Sequence, residues 1–218
     1  VFSQEKYVDM LYLFLESLFI YGNVTTDTEV LIYTTAEFMS KIKNSSLYDP
    51  EKIVFEINNN YTDIATACTS RLDLFELNSV KKYEKILYLD IDIIIKNDIN
   101  RVFEVCTNDV LYVLKEGNID DHSENWGKSL FGDEANNYED KTAFTSGILL
   151  FNNNDNMKHL FQTVKEDIIT RNILFTFYDQ PFIVYNAFKY VSVDKTSLIK
   201  LAVNKLTDFY GIISDNNT

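Results

Sequence analysis

The stretch Lys85-Ile-Leu-Tyr-Leu-Asp-Ile-Asp-Ile-Ile-Ile-Lys96 sets two carboxylates, Asp90 and Asp92, inside an apolar, β-branched run of strand length. Strand side chains alternate between faces, so residues two apart point the same way. The run therefore predicts both acids on one face of an otherwise buried strand. Two like charges side by side are costly there unless something neutralises them. A divalent cation does so, and oxygen-only ligands favour Mg²⁺, Mn²⁺ or Ca²⁺. The plainer alternative ends the strand at Leu89 and leaves the acids solvated at its tip.

Working outward, alternating strand and helix patterns flank this run. Val1-Phe2 reads as the end of a first strand and Tyr7 to Tyr21 as a buried helix. Glu29 to Thr34 and Ile53 to Ile57 read as strands, with a helix over Ala36 to Lys43 between them. Asn58-Asn59-Asn60 supplies capping chemistry before a helix from about Thr62 to Leu77. Further strands are predicted over Asp109 to Leu114 and Phe144 to Phe151, and further helices over Met157 to Arg171 and from Asp179-Gln180-Pro181 to Phe188. Between them, Glu116 to Lys141 is polar and irregular, either a mobile active-site loop or a surface excursion. The alternation predicts one α/β domain over residues 1–218 with a mainly parallel sheet. Ligands bind beyond the carboxyl ends of such strands, where Asp90 and Asp92 lie in their run.

Composition limits the chemistry. An apolar content of 46% in 218 residues is enough for a folded globule with a substantial core. The formal net charge of -13 repels phosphate backbones, which excludes nonspecific nucleic-acid binding. Cys68 and Cys106 lack metal-site spacing and read as two buried thiols. Met10 to Tyr21 contains Glu16 and is too short to span a bilayer. With no basic leader before it, the chain reads as cytoplasmic.

Four features then fall in order: Arg71-Leu72-Asp73, the run ending in Asp90-Ile91-Asp92, Thr145-Ser146-Gly147, and Asp179-Gln180 followed by Asn186. Together with Val1-Phe2-Ser3 and Tyr7, this set resembles the GT-A glycosyltransferases of family 8, the glycogenin-like and lipopolysaccharide galactosyl- and glucosyltransferase group. The resemblance implies a GT-A fold, a UDP-sugar donor (UDP-glucose first, UDP-galactose second), Mn²⁺ or Mg²⁺, and hexose transfer with retention to a saccharide or protein acceptor. It assigns the metal to Asp90 and Asp92. It sets Phe2, Ser3, Tyr7, Arg71, Ile91, Thr145, Ser146 and Gly147 with those acids around the donor, and Asp179 and Gln180 beside the transferred sugar as catalytic residues. A homodimer is compatible with it. Two departures stand out. Thr145 occupies the position of the family's usual Asn, and the family's metal-binding His segment is expected beyond Thr218.

Each residue also has a plainer reading. Tyr7 alone is a core aromatic, Arg71 a solvated helix residue, Asp179 a helix cap, and Ser146-Gly147 a strand-entry turn. His122 and His159 read as surface residues. A haloacid-dehalogenase-like phosphatase shares an Asp-x-Asp after a strand, but it needs a turn next, and Ile93-Ile94-Ile95 argues against one. A degenerate, non-catalytic GT-A binding module is the other alternative.

Overall fold

A computed structural model describes residues 1–202. The end of the domain expected over 1–218, and the His segment expected beyond it, lie outside the described residues. Helix α1 (Lys6–Tyr21) buries Val8, Leu11, Phe14, Leu15 and Leu18, a spacing that puts them on one helical face. Val1-Phe2 is not a strand, but Val1 is hydrogen-bonded to the next one, β1 (Val30–Thr34), through Tyr33 O at 2.5 Å. Helix α2 (Ala36–Lys43) is capped by Thr35, whose hydroxyl accepts from Phe38 N, and it returns the chain to β2 (Ile53–Ile57). β1 and β2 pair in parallel, Val30 opposite Ile53.

The predicted helix from Thr62 to Leu77 is shorter and tighter. Asp63 caps α3 (Ile64–Thr69), and the chain then winds as a 3-10 segment over Ser70–Glu76. Next come β3 (Lys85–Leu89), α4 (Asn100–Glu104), β4 (Leu111–Asn118), α5 (Lys128–Phe131) and β5 (Thr142–Asn152). Helices α6 (Asp155–Arg171) and α7 (Gln180–Tyr190) and the short β6 (Val193–Asp194), which no sequence pattern announced, complete the described fold.

The strand order of the second sheet is β3-β5-β4-β6. β5 runs antiparallel to both β3 and β4, while β4 and β6 are parallel. The sheet is thus mixed, with the parallel pairing expected from sequence found in β1–β2 and β4–β6. The larger core lies between this sheet and α6 and α7, around Leu149, Phe151, Phe161 and Phe182. A second core gathers α1, β1 and the segment after Asp92.

The Asp-x-Asp run does not continue as a strand. β3 ends at Leu89, and Ile91-Asp92 form a turn. The Ile95 amide, which a ladder would have used, donates instead to Ser17 Oγ at 3.0 Å, and the Ile95 side chain is buried in the second core. The plainer reading of the strand's end is therefore the correct one. The segment from Glu116 to Lys141 is also not a surface excursion, because Leu130, Phe131 and Ala135 anchor it in the larger core. Among the described residues, no helix is long and apolar enough to cross a membrane.

Asp73 ties the two cores together. Its carboxylate accepts from Tyr33 Oη of β1 at 2.9 Å, from Tyr61 Oη, and from Lys165 Nζ of α6 at 2.7 Å. Burial alone would raise its pKa, but hydrogen bonds from Lys165, Tyr61 and Tyr33 outweigh that and hold it below the ordinary carboxylate value. A depressed native pKa contributes stability above the unfolded value, and that contribution is lost as pH falls through the native one. Asp73→Asn should therefore destabilise the fold by about 2 kcal/mol at neutral pH. Urea melts should show the gap to wild type narrowing below about pH 4.

Candidate active site

The β3–β5 ladder extends one residue past Leu89, because Asp90 N donates to Gly147 O at 2.9 Å. Asp90 thus keeps strand placement while Asp92 turns away. The residue that shares Asp90's face is Tyr88, two before it, whose hydroxyl donates to Asp90 Oδ1 at 2.7 Å. The other oxygen, Oδ2, lies over Gly147, and a Cβ added there would stand 2.9 Å from it. A glycine at 147 is what lets the carboxylate approach the backbone of β5.

Arg71, on the 3-10 segment, reaches into this region with only 9% of its side chain exposed. Its Nε lies 2.9 Å from Asp179 Oδ2, and its Nη1 lies 3.4 Å from Asp90 Oδ1. Nη1 also donates to Ser146 O at 2.7 Å and Nε to Cys68 O, while the guanidinium lies over the Tyr88 ring at 4.7 Å. Burial opposes the guanidinium's charge, but Asp179 and Asp90 outweigh it and raise its pKa. Arg71 is therefore a buried cation rather than a solvated helix residue.

Asp179 is 1% exposed. Burial pushes its carboxyl up to about 6, against Arg71, which holds it down. It holds the N-cap position of α7, as the sequence allowed, but makes no side-chain capping bond there. Its contact with Arg71 is one of charge rather than an aligned hydrogen bond, and Oδ2 has no hydrogen-bond donor among the described residues. Gln180 Oε1 accepts from Ser146 N at 3.0 Å, and its Nε2 donates to Asn125 O at 3.2 Å. The irregular Glu116–Lys141 segment thereby reaches the site. Thr145 Oγ1 accepts from Gly147 N at 3.2 Å.

The structure thus joins Arg71, Asp90, Ser146, Gly147, Asp179 and Gln180 in one network. Phe2, Ser3, Tyr7, Ile91 and Asp92 join Arg71 and Asp90 along a cavity of about 1070 Å³ bounded by β1, β3 and α1. The Phe2 ring itself packs edge-on against Tyr33 and Tyr61, 5.0 Å from each. Ser3 has φ +67 and a buried hydroxyl without a hydrogen-bond partner among the described residues. Asn186 does not enter the network; its amide bonds Asp167 of α6 and Phe182 O. His122 and His159 are exposed, Cys106 is buried, and Cys68 is only partly buried. Tyr88 and the Asn125 carbonyl escaped the sequence reading. Tyr88 was detectable, since it sits two residues before Asp90 on a strand.

Asp92 is exposed at its turn, yet its pKa is raised, first by the protein crowding it and then by the Asp90 charge. Among the described residues, no group of three or more His, Cys, Asp or Glu side chains could hold a metal ion. Asp90 and Asp92 fit a partial oxygen site in which phosphate oxygens and water supply the remaining ligands, the usual arrangement for Mg²⁺ at a nucleotide. A full protein cage is not present among them.

Known proteins bear on this arrangement. The model of the family described as "Glycosyl transferase family 8" matches residues 23–194, most of the chain. No curated protein matches. Among solved structures, mouse xyloside xylosyltransferase 1 in its apo form is similar with a TM-score of 0.56 at 13% identity, covering 87% of this chain and 79% of that one. The galactosyltransferase LgtC, solved with donor and acceptor sugar analogues, gives 0.57 at 18%, covering 88% and 71%. The glycosyltransferase GlyE of Streptococcus pneumoniae gives 0.54 at 16%, covering 88% of this chain and 44% of that chain. At these identities the likeness establishes the fold, which is GT-A. The turn at Ile91-Asp92 removes the sequence argument against a phosphatase, and the family match now separates the two readings.

Removing the cation while leaving the buried acid should be severe. Arg71→Met is expected to destabilise the protein by about 3–5 kcal/mol, because Asp179 loses its counter-charge. Adding Asp179→Leu should restore at least half of the loss in urea denaturation. A single-variant loss below about 1 kcal/mol, as for a surface pair, would contradict the geometry.

Proposed function

The chain belongs to glycosyl transferase family 8, and from that premise we propose that it moves a hexose from a UDP-sugar to a hydroxyl acceptor, with retention of anomeric configuration. UDP-glucose is the first choice of donor and UDP-galactose the second. The acceptor is a saccharide or protein hydroxyl. The observation that carries the reading is the buried Arg71, which stands between Asp179 and Asp90 at the edge of a cavity large enough for a nucleotide sugar.

Members of this family generally use a divalent metal, and Asp90 and Asp92 are the residues proposed to hold Mn²⁺ or Mg²⁺. When bound, the ion supplies Lewis-acid stabilisation of the charge that develops on the leaving diphosphate. Arg71 adds a fixed positive charge beside Asp90, and a planar guanidinium suits phosphate oxygens. Tyr7, Phe2 and Ser3 line the same cavity and are proposed for the nucleotide end of the donor. Ser146, Gly147, Asp179 and Gln180 are proposed for the sugar end. There the Asp179 carboxylate acts through a poorly solvated medium on the positive charge that forms at the anomeric carbon. Gln180, fixed at both ends of its amide, holds the Ser146 backbone in position.

Release of UDP from UDP-sugars in the presence of Mn²⁺ tests the proposal. We expect UDP-glucose to be turned over, EDTA to stop it, and Asp92→Asn to abolish metal-dependent UDP binding in calorimetry without changing the melt. A clear preference for GDP- or CMP-sugars would sink the donor assignment. An interaction that strengthens only in the transition state lowers kcat more than it raises KM. Asp179→Asn and Gln180→Ala should each reduce turnover about tenfold or more, corresponding to ~1.4 kcal/mol of barrier. UDP affinity should barely change in either variant.

A further inference from the structure

Tyr88 has no place in the reaction as described so far, yet two of its groups engage the residues that do. Its hydroxyl donates to Asp90 Oδ1 at 2.7 Å, and its ring underlies the Arg71 guanidinium at 4.7 Å. It is held at this position by the sheet, since β3 pairs Tyr88 with Leu149 of β5, and its ring packs against the larger core. A carboxylate on a strand end can otherwise rotate about its side-chain bonds. Here Tyr88 fixes Oδ1 of Asp90, while Oδ2 lies close over Gly147, where no side chain stands in its way.

We infer that Tyr88 is a positioning residue: it occupies Asp90 Oδ1 as a neutral donor and so presents Oδ2 to a divalent cation. The choice of donor matters. Arg71 Nη1 lies farther off, at 3.4 Å from the same oxygen. Without the hydroxyl, Oδ1 is free to close on the guanidinium, and the carboxylate turns away from the ion toward a competing cation. A tyrosine avoids this because it fills the acceptor without adding charge, and its ring holds Arg71 at a set height. Partners behind a metal ligand commonly change metal affinity by about 10–100-fold when removed.

The inference rests on the proposal that Asp90 and Asp92 hold the ion, and the experiment separates the two. Mn²⁺ binding is titrated in the presence of saturating UDP, following free Mn²⁺ by electron paramagnetic resonance, with thermal melts on the same samples. Tyr88→Phe keeps the ring over Arg71 and removes only the hydroxyl. It should weaken Mn²⁺ about tenfold or more, raise the Mn²⁺ concentration needed for half-maximal turnover, and leave kcat at saturating Mn²⁺ close to wild type. A merely structural role would move the melt and not the Mn²⁺ requirement. Gly147→Ala perturbs the same carboxylate from the opposite side, through a Cβ against Oδ2, and should also weaken Mn²⁺. If Tyr88→Phe is destabilised, the titration is run at a temperature below its melt, so the comparison with wild type still decides. Wild-type Mn²⁺ affinity in folded Tyr88→Phe, with Asp92→Asn inactive toward the ion, overturns the role of Tyr88 alone. Undiminished Mn²⁺ binding in Asp92→Asn overturns the metal assignment and this inference with it.

Discussion

Arg71 carries its charge where water hardly reaches, and the candidate site is organised by what that requires. A buried cation is stable only with close counter-charges and filled hydrogen bonds. Asp179 and Asp90 supply the first, and the carbonyls of Ser146 and Cys68 supply the second. These partners come from α3, the end of β3, the middle of β5 and the start of α7. One guanidinium thus fixes the relative position of four chain segments.

The same group sets the charge balance. With Asp90, Asp92 and Asp179 ionised and Arg71 cationic, the site carries a formal charge of about -2, within a chain of net charge -13. An anionic nucleotide sugar would be repelled by such a pocket without help. A divalent ion on Asp90 and Asp92, as proposed, would cancel that charge and add the attraction that a diphosphate needs. Burial first, with the Asp90 charge behind it, raises the pKa of both Asp92 and Asp179.

Much of this was legible in the sequence, and the parts that were not share a cause. The helix over Ala36–Lys43 and the strand over Ile53–Ile57 matched their patterns because capping and apolar spacing are local signals. The end of β3 was misjudged because apolar, β-branched residues suit a buried loop as well as a strand. Only the long-range bond from Ile95 to Ser17 decides between them. The direction of β5 against its neighbours was likewise invisible, since side-chain alternation does not encode it. At the site, residue types marked Asp90 and Asp92 as candidates, and Arg71 entered only through the family resemblance. The roles of Gly147 as a clearance and Tyr88 as a donor depend on β3 meeting β5, which no one-dimensional pattern contains.

Among the described residues, β1 and β3 share no backbone hydrogen bonds, and the cavity lies between them. The two cores are therefore joined by side chains, such as the Asp73 contacts, rather than by a continuous ladder. Proteins open locally in cooperative units, and units with fewer buried contacts open at lower free energy. The unit made of α1, β1 and β2 is the smaller and the one expected to breathe first. It carries Tyr7, Phe2 and Ser3, whereas Arg71, Asp179 and Gln180 belong to the firmer part. In the proposed placement, the nucleotide end of the donor would thus be met by a surface that adjusts, and its sugar end by one already in place.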